Sequence, residues 1–526
     1  MPHSLSGLLL GAGFSCEAGM PLVWELTDEL RRWLTPEKFR SLNDHWRQQG
    51  EGFSDAVMDD ICQVLTRPDM HYEALLGYVE AQYRRPSPDH VQQQYHHAYS
   101  WLVETVYYVL HLRHVTNASK IEQWLRLLDG IAVLTEHNAP LWVFSLNHDL
   151  LVEALAARHG IPLNCGFPDG LVRLPRRDAV GAKIGELMAE VVLQDHIDTG
   201  QRGYFDVGKV GINLLKIHGS LDVFAFRDGK DLLRVLPDDP SVTAIFEALR
   251  VTNEELIYVD RKYPDRRVKP TNEILYADEN GEMQFLRRTL LSGAYKFDPH
   301  RSQVLPRPVL DHFRHNLNQI SDLICIGYSF GDLHINTVIR QWLEWGSNRR
   351  VRVVDPGATS IPAALLHLAP QIDLHTEKAV DYLDRIAGIT RTRLDGIQRR
   401  FTAWARKQPA EQGQAQFAAF QREYMQSILH RIVERIASEG EAGLRAHAGP
   451  PEEYAKRLYA EVGGMPEDVF EAFLDSLDPA KRKPGHQEIA EAAYLRWVER
   501  GRPDGGDVED WLVAEAALRS ANGTPP

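Results

Sequence analysis

The sequence predicts an α/β protein built on a doubly wound parallel sheet, which is an open sheet with helices on both faces. Five short apolar runs have the length and composition of strands that are buried on both faces. Between several of them, apolar residues recur at three- and four-residue spacing, which is typical of amphipathic helices. The five runs are residues 5–10, 141–145, 214–217, 323–326 and 351–354.

Length, composition and charge narrow the class of protein. The chain has 526 residues, which is too long for one compact core, so we expect two or three domains. A hydrophobic content of 44% and a charged content of 25% exclude global disorder. The net charge of −14 argues against a surface built mainly to bind nucleic acid.

The cysteines and the apolar runs indicate where the protein works. No two of the four cysteines have metal-ligand spacing, and a chain of this size does not need disulfides for stability. No apolar run approaches the length of a membrane span, and no secretory signal pattern opens the chain. We therefore expect a cytoplasmic protein that needs no metal and contacts no membrane.

The regions between the runs are interpreted as helical insertions into the sheet. Residues 50–135 have helical periodicity, whereas residues 165–310 are mixed and less periodic, with a charged surface loop at 260–270. Together with the sheet they are expected to form one domain, residues 1–372, in which the insertions cover the pocket.

Residues 373–526 are predicted to be a helical C-terminal region. An aromatic and isoleucine stripe over residues 417–436 predicts one long amphipathic helix. Residues 486–519 contain two helical stretches joined by a Gly-Arg-Pro turn and resemble a short uncharacterised bacterial helical module. We expect it to be an interaction or assembly unit. Its two helices are predicted to pack through Ile489, Tyr494, Trp497, Trp511 and Leu512.

Each of the five predicted strands ends in a cluster of small and polar residues. The carboxyl ends of neighbouring parallel strands lie at one edge of a sheet, where ligands bind in open α/β folds. If the strands are neighbours, the five clusters therefore predict one ligand site. They are Gly11-Ala12-Gly13-Phe14-Ser15 with Gly19-Met20-Pro21, Asn147-His148-Asp149, His218-Gly219-Ser220, Gly327-Tyr328-Ser329 and Asp355-Pro356-Gly357.

In this order the clusters resemble the signature segments of the sirtuin family. Residues 11–21 resemble its Gly-Ala-Gly turn and the Gly-apolar-Pro that follows. Residues 147–149 resemble its Gln-Asn-x-Asp segment, and residues 218–219 its catalytic His-Gly segment. Residues 327–329 resemble its Gly-Thr-Ser loop. Asp355 lies at the position where, in that family, a strand end contacts the adenosine ribose of NAD⁺. The resemblance covers residues 5–360 and implies a Rossmann-like sheet that binds NAD⁺.

Two departures point to one branch of the family. The chain lacks the two Cys-x-x-Cys pairs of the sirtuin zinc module, and residues 22–24 replace a segment that carries an arginine. What remains resembles the sirtuin-like NADases of bacterial antiphage defence. Their Gly-Tyr-Ser-Phe-x-Asp segment is continued here by Phe330, Asp332, His334 and Asn336.

The resemblance implies a role for each cluster. Asn147 is expected to orient a ribose hydroxyl or a water, His218 to accept its proton, and Asp149 to orient Asn147 or the ribose. Ser15 and Ser329 are expected to meet the phosphates of NAD⁺. The residues expected to bind NAD⁺ are Gly11, Ala12, Gly13, Phe14, Ser15, Gly19, Met20, Pro21, Gly219, Gly327, Tyr328, Ser329, Asp332 and Asp355.

Structural roles alone also explain these patterns. A glycine-rich strand-to-helix turn forms without a ligand, and Cys16 stands where the dinucleotide fingerprint has its third glycine, which disfavours a dehydrogenase. Asn147 and His218 could satisfy strand-end hydrogen bonds. A polar turn that caps a helix explains Asp332 and the polar residues after it.

The resemblance implies an NAD⁺ glycohydrolase that forms nicotinamide and ADP-ribose and acts as a triggered, NAD⁺-depleting effector. The alternatives are a sirtuin-type deacylase or ADP-ribosyltransferase, and a non-catalytic sensor of NAD⁺ or ADP-ribose. The C-terminal region is expected to support a homo-oligomer or to bind a partner defence protein. The trigger and the choice between linear and cyclic ADP-ribose stay open.

Overall fold

A computed structural model describes residues 5–48, 52–178, 180–227, 229–259, 270–291, 293, 296–297 and 304–408, and a few positions between 489 and 517. The chain divides into two compact units. The first comprises Met1–Thr390 with Thr402–Glu411, and the second Arg391–Phe401 with Gln412–Pro526. Within the described residues, every helix is too short or too polar to span a bilayer.

The described strands belong to two sheets, one parallel and one antiparallel. In chain order the strands are β1 (Ser6–Leu10), β2 (Leu141–Ser145), β3 (Leu163–Asn164), β4 (Leu171–Arg177), β5 (Lys183–Val192), β6 (Ile212–Lys216), β7 (Val223–Phe226), β8 (Asp231–Val235), β9 (Glu273–Ala277), β10 (Met283–Arg288), β11 (Asp322–Ile326), β12 (Arg350–Val354) and β13 (Ile372–His375).

Helices separate most of these strands. The described α-helices are α1 (Ala12–Ser15), α2 (Val23–Trp33), α3 (Pro36–Gln48), α4 (Asp55–Leu65), α5 (Tyr72–Arg84), α6 (Asp89–Thr116), α7 (Ala118–Trp124), α8 (Ile131–His137), α9 (Leu151–His159), α10 (Gln194–Thr199), α11 (Val242–Glu254), α12 (Pro308–Asn316), α13 (Leu333–Glu344), α14 (Ala379–Ala387) and α15 (Arg393–Ala405). Short 3₁₀ helices cover Cys16–Ala18, Leu125–Leu128, Leu317–Gln319 and Ala363–Gln371.

All five predicted runs are strands of the parallel sheet. Its order is β13-β12-β11-β1-β2-β6-β3, so the five strands that end in polar clusters are consecutive neighbours. The chain extends the sheet on one side of β1 with β2, β3 and β6, and later on the other side with β11 to β13. The gap between β1 and β11 is therefore the topological switch point, the usual ligand position in such sheets. The α/β prediction with a parallel, Rossmann-like sheet is confirmed.

The second insertion differs from the prediction. The first insertion is helical as expected, from α4 to α8, but the described part of the second contains an antiparallel sheet of order β4-β5-β8-β7-β10-β9. The sequence conceals these strands because some of their inward positions are charged. Arg288 of β10 is buried and binds Glu104 of α6 at 3.0 Å, which replaces an apolar residue in the expected alternation.

The first domain also extends beyond the predicted boundary at residue 372. β13 begins at that residue and pairs with β12, and α14 follows it within the same compact unit. Val380, Tyr382 and Leu383 of α14 are buried. The start of the predicted helical region at residue 373 therefore does not coincide with the end of the first unit, because periodicity reports local structure and not packing partners.

The predicted helical stripe over residues 417–436 lies outside the described residues. In the C-terminal module, Ile489, Ala493 and Ala514 form a small buried cluster, as expected for two packed helical segments. Leu512, however, is 59% exposed, which contradicts its predicted place between the helices. It lies two positions from Ala514, and two helical steps of about 100° place it on the opposite face. Tyr494, Trp497 and Trp511 lie outside the described residues.

The turns after β1 and β11 pack against each other backbone to backbone. The Gly13 amide donates to the Gly327 carbonyl at 3.0 Å, and the Gly11 amide donates to the Ile326 carbonyl at 3.0 Å. A Cβ on Gly11 would lie 2.5 Å from the Gly327 oxygen, and one on Gly13 would lie 2.6 Å from the Gly327 Cα. Because no side chain fits between these turns, all three positions require glycine at the switch point.

The cost of a side chain in this contact is measurable with two glycines that have the same φ. Gly327 and Gly160 both have a φ of +62°, but a Cβ on Gly327 would overlap Gly13 and Phe14, whereas nothing lies within 4 Å of one on Gly160. We expect Gly160→Ala to lower the free energy of unfolding by about 1 kcal/mol from conformation alone. Gly327→Ala is expected to lower it by at least about 3 kcal/mol, because overlap is added.

Denaturant unfolding of both variants measures this difference. Equal losses of stability would show that the close contact between the turns does not constrain the fold.

Candidate functional site

The structure joins the predicted clusters of β1 and β2 through the side chain of Asn147. Its Nδ2 donates to the Gly11 carbonyl and to the Ser15 hydroxyl, both at 2.8 Å. Within the described residues, no hydrogen-bond donor reaches its Oδ1. The amide is thus fixed at the switch point, and its oxygen is the group left for a ligand.

The turn after β1 has less open space than its glycines suggest. Phe14, Ser15 and Met20 are 3% exposed or less, and the Ser15 hydroxyl is engaged by Asn147. The helix that follows the turn, α1, has only four residues, so its N-terminus provides only a weak dipole for a ligand. Gly19, at a φ of +88°, packs against the ring of Trp124. In this conformation, Ser15 supports Asn147 and is not open to a phosphate.

Asp149 is placed differently from the prediction. Its carboxylate accepts a hydrogen bond from the Leu151 amide at 3.1 Å, at the start of α9. Its carbonyl accepts one from the ammonium of Lys216, whose side chain is 9% exposed. Among the described contacts, Asp149 makes none with Asn147. It therefore organises the turn after β2 and holds the end of β6 against it.

His218 lies at the centre of the strand ends and is 2% exposed. Its Nε2 is 3.2 Å from the Nε2 of His334, and a further hydrogen bond joins it to the backbone of Leu146. Burial lowers the pKa of His218 well below its usual 6.5, and nearby Lys296 and His334 lower it further. His218 is therefore uncharged at neutral pH and has the protonation state of a base.

The contact between His218 and His334 connects strands that are not adjacent. His218 follows β6 and His334 lies in the first turn of α13 after β11, whereas β1 and β2 lie between these strands in the sheet. The loop from β11 to α13 therefore crosses over the ends of β1 and β2. The clusters of β1, β2, β6 and β11 consequently meet in one place, as the sequence predicted if the strands were neighbours.

Two of the predicted residues in the loop after β11 have structural roles. The hydroxyl of buried Tyr328 lies 2.8 Å from Asn336 Oδ1, and Asn336 Nδ2 donates to the Phe330 carbonyl at 2.7 Å. These bonds hold the loop, in which Phe330 has a positive φ of 58°. Ser329 is exposed and Asp332 is partly exposed. Tyr328 and Asn336 therefore stabilise the loop, whereas Ser329 and Asp332 are accessible to a ligand.

Gly219 and Asp355 lie at the margins of the site. Gly219 has a φ of +84°, and a Cβ on it would overlap the carbonyl of Thr289, so it is a packing glycine. Asp355 accepts a hydrogen bond from the Gly357 amide at 2.7 Å within its own turn. No described contact joins Asp355 to the clusters of β1, β2 or β6.

Two charged residues of the site were not predicted. Lys296 is buried and its ammonium lies 2.8 Å from Glu73 of α5 and 3.3 Å from Asp332. Burial alone would lower the pKa of Lys296, but the two carboxylates raise it above its usual value. Both residues belong to insertions and follow no strand of the parallel sheet, so no pattern in the sequence marked them.

The sequence led us to expect no metal, and it offered no cysteine motif for one. Within the described part of the chain, one group of residues has ligand atoms close enough to share an ion. His218, Asp332 and His334 place one ligand atom each within 4.8 Å of one another.

Comparison with known protein families matches the C-terminal module. Residues 485–520 match a family described as "Protein of unknown function (DUF2934)". No curated protein matches the chain. The match agrees with the boundaries predicted for the module and includes none of the strand-end clusters, so the function of the site is inferred from its geometry.

The uncharged histidines of the site make stability depend on pH. An unfolded histidine titrates near pH 6.5, whereas the pKa of His334 is lowered to about 4 by burial and that of His218 is lowered well below 6.5. The unfolded state therefore binds more protons below pH 6.5. We expect the free energy of unfolding to fall as the pH decreases from about 6.5, by at most about 1.4 kcal/mol per pH unit for each group.

Denaturant unfolding at several pH values measures this slope. His218→Gln is expected to reduce it, whereas His137→Gln, at an exposed histidine, serves as the matched control. An unchanged slope in His218→Gln would contradict the uncharged state of His218.

Proposed function

We propose that the protein is an NAD⁺ glycohydrolase that cleaves the nicotinamide–ribose bond to give nicotinamide and ADP-ribose. The proposal depends on one observation. An amide and an uncharged imidazole, Asn147 and His218, lie at the meeting point of four strand ends, beside the topological switch point. This is the position at which open parallel sheets bind nucleotides.

The reaction requires little from an enzyme beyond placement and one proton acceptor. Nicotinamide leaves NAD⁺ as a neutral molecule, so cleavage mainly requires stabilisation of an oxocarbenium-like ribose and a positioned water, as in other glycosidic cleavages. The free Oδ1 of Asn147 suits the orientation of a ribose hydroxyl or that water. His218, uncharged at neutral pH, suits the acceptance of the proton.

The burial of these groups supports an enzyme that is held inactive until it is triggered. His218 is 2% exposed and its Nε2 is occupied by His334, so the loop from β11 to α13 must shift before a substrate reaches it. This fits the triggered NAD⁺-depleting effector of antiphage defence that the resemblance implies. We assign the trigger response to the C-terminal region, through self-association or a partner defence protein.

A sensor of NAD⁺ or ADP-ribose is the second candidate, and the same enclosure favours it. A protein that only binds the nucleotide does not need an accessible base. A deacylase or ADP-ribosyltransferase is less well supported, because the zinc module that borders the acceptor groove of sirtuins is missing from the sequence. Turnover therefore decides between the two leading candidates.

The test is NAD⁺ consumption in bacteria that express the full-length chain, before and after phage infection. Infection is expected to deplete NAD⁺ and to release nicotinamide and ADP-ribose, detected by chromatography. Asn147→Ala and His218→Ala are expected to abolish depletion, because each removes a group that acts on the ribose or its nucleophile. Asn318→Ala and His367→Ala change exposed residues outside the strand ends and serve as matched controls.

Unchanged NAD⁺ in infected cells, with nucleotide binding retained by purified protein, would favour the sensor. Full depletion by both Asn147→Ala and His218→Ala would exclude the proposed site.

The pH dependence of turnover tests the role of His218. Burial and the neighbouring Lys296 and His334 lower the pKa of His218, and a base acts only when it is deprotonated. We therefore expect kcat/KM to stay constant as the pH falls to 6.5 and to decrease only well below it. His334→Ala removes one cause of the lowered pKa and is expected to move this decrease to higher pH. A decrease centred at or above pH 6.5 in the unmodified protein would contradict His218 as the base.

A further inference from the structure

Two imidazoles and a carboxylate converge where the first turn of α13 meets the end of β6. His334 and Asp332 lie two residues apart at the start of α13, and His218 faces them. One ligand atom from each residue lies within 4.8 Å of the other two. Two histidines and one carboxylate are a common ligand set of divalent transition metals, and of Zn²⁺ in particular.

The spacing of the two imidazole nitrogens suits a shared ion. Two nitrogens that each lie about 2.0 Å from a tetrahedral zinc ion are about 3.3 Å apart. The Nε2 atoms of His218 and His334 are 3.2 Å apart. The carboxylate of Asp332, which is partly exposed, has to approach further to complete the set.

The second nitrogen of His218 has a partner that is usual for a metal ligand. His218 also forms a hydrogen bond with the backbone of Leu146, and since Nε2 faces His334, this bond uses Nδ1. A metal-bound histidine typically donates its other N–H to a backbone carbonyl or a carboxylate, which leaves the lone pair of the first nitrogen for the metal. The same arrangement directs the lone pair of His218 Nε2 towards His334.

The surrounding charges favour a cation. Lys296 carries one positive charge, and its partners Glu73 and Asp332 carry one negative charge each, so these three side chains contribute a net charge of −1 beside the two imidazoles. Lys296 contacts Oδ1 of Asp332, and within the described residues nothing donates to Oδ2. A ligating carboxylate whose other oxygen is hydrogen-bonded is an ordinary outer-shell arrangement.

We propose that His218, His334 and Asp332 form a Zn²⁺ site, and that bound Zn²⁺ holds the protein in its inactive state. The ion would occupy the lone pair of His218 and tie α13 to the end of β6. The inhibitory part of this inference rests on the proposed NAD⁺ glycohydrolase activity, whereas the binding part does not.

Binding is tested first and without NAD⁺. Full-length protein is freed of metal with a chelator and titrated with Zn²⁺ in competition with a chromophoric chelator. One ion per chain is expected to bind in a way that depends on the three residues. His334→Ala and Asp332→Asn are expected to weaken its Kd by at least about tenfold, because each removes a ligand. His315→Ala and Asp311→Asn, on α12 outside the cluster, are the matched controls.

Co²⁺ provides an independent readout of coordination. Its visible absorption is expected to show histidine and carboxylate ligation in the unmodified protein and to change in His334→Ala. Zn²⁺ affinity that is equal in the unmodified protein, His334→Ala and Asp332→Asn would overturn the site, as would failure to bind at micromolar Zn²⁺.

NAD⁺ turnover then tests the inhibitory role. In triggered protein, Zn²⁺ is expected to inhibit turnover with the concentration dependence of binding, and His334→Ala is expected to be resistant. Inhibition that is equal in both proteins would overturn the inhibitory role. The two proposals can be refuted separately. If Zn²⁺ binds but NAD⁺ is not consumed under triggering conditions, the proposed glycohydrolase activity is wrong, whereas the proposed metal site stands.

Discussion

The architecture depends on the contact between the turns after β1 and β11. These strands are adjacent, and their turns approach so closely that the Gly13 amide bonds the Gly327 carbonyl and no side chain fits between them. The resemblance implied that the glycines of the first turn bind NAD⁺. In the structure their first role is to let two backbones meet. The same contact places the Gly11 carbonyl where Asn147 reaches it, so the position of the proposed catalytic amide follows from the packing of glycines.

Around this contact, the site is assembled by elements outside the parallel sheet. The antiparallel sheet brings Thr289 against Gly219, and the Leu291 amide donates to the His218 carbonyl at 2.9 Å. The segment that follows supplies Lys296, and the helical insertion supplies its partner Glu73. The insertions therefore do more than cover the pocket, because they determine the charge around His218.

Burial has two effects at this site. It keeps His218 and His334 uncharged at neutral pH, which suits proton transfer and metal binding alike. It also encloses His218 between the end of β6 and α13, which restricts access. A base that is deprotonated but covered is the arrangement expected of an enzyme held inactive until a second event, and it links the proposed activity to the proposed zinc site.

The sequence alone determined the parallel sheet, its five ligand-type strand ends and the prediction that they share one edge. Strands buried on both faces are continuous apolar runs, and parallel strands necessarily end together, so both conclusions follow from local pattern and general geometry. The antiparallel sheet was missed because charged residues such as Arg288 occupy inward positions whose partners come from distant helices. The strand that begins at residue 372 coincided with the predicted domain boundary for a related reason, since its pairing with β12 is not a local property.

Among the proposed site residues, the sequence pointed to Asn147 and His218, but only the tertiary structure decided what surrounds them. Asp149 accepts a hydrogen bond from the first amide of α9 and makes no described contact with Asn147, and Ser15 supports that amide from a buried position. The pairing of His218 with His334 and the approach of Lys296 depend on a loop that crosses two strands and on an inserted segment. The sequence specifies which side chains are present. Their burial, protonation states and hydrogen-bond or ion-pair partners are decided only when folding brings residues that are far apart in sequence into contact.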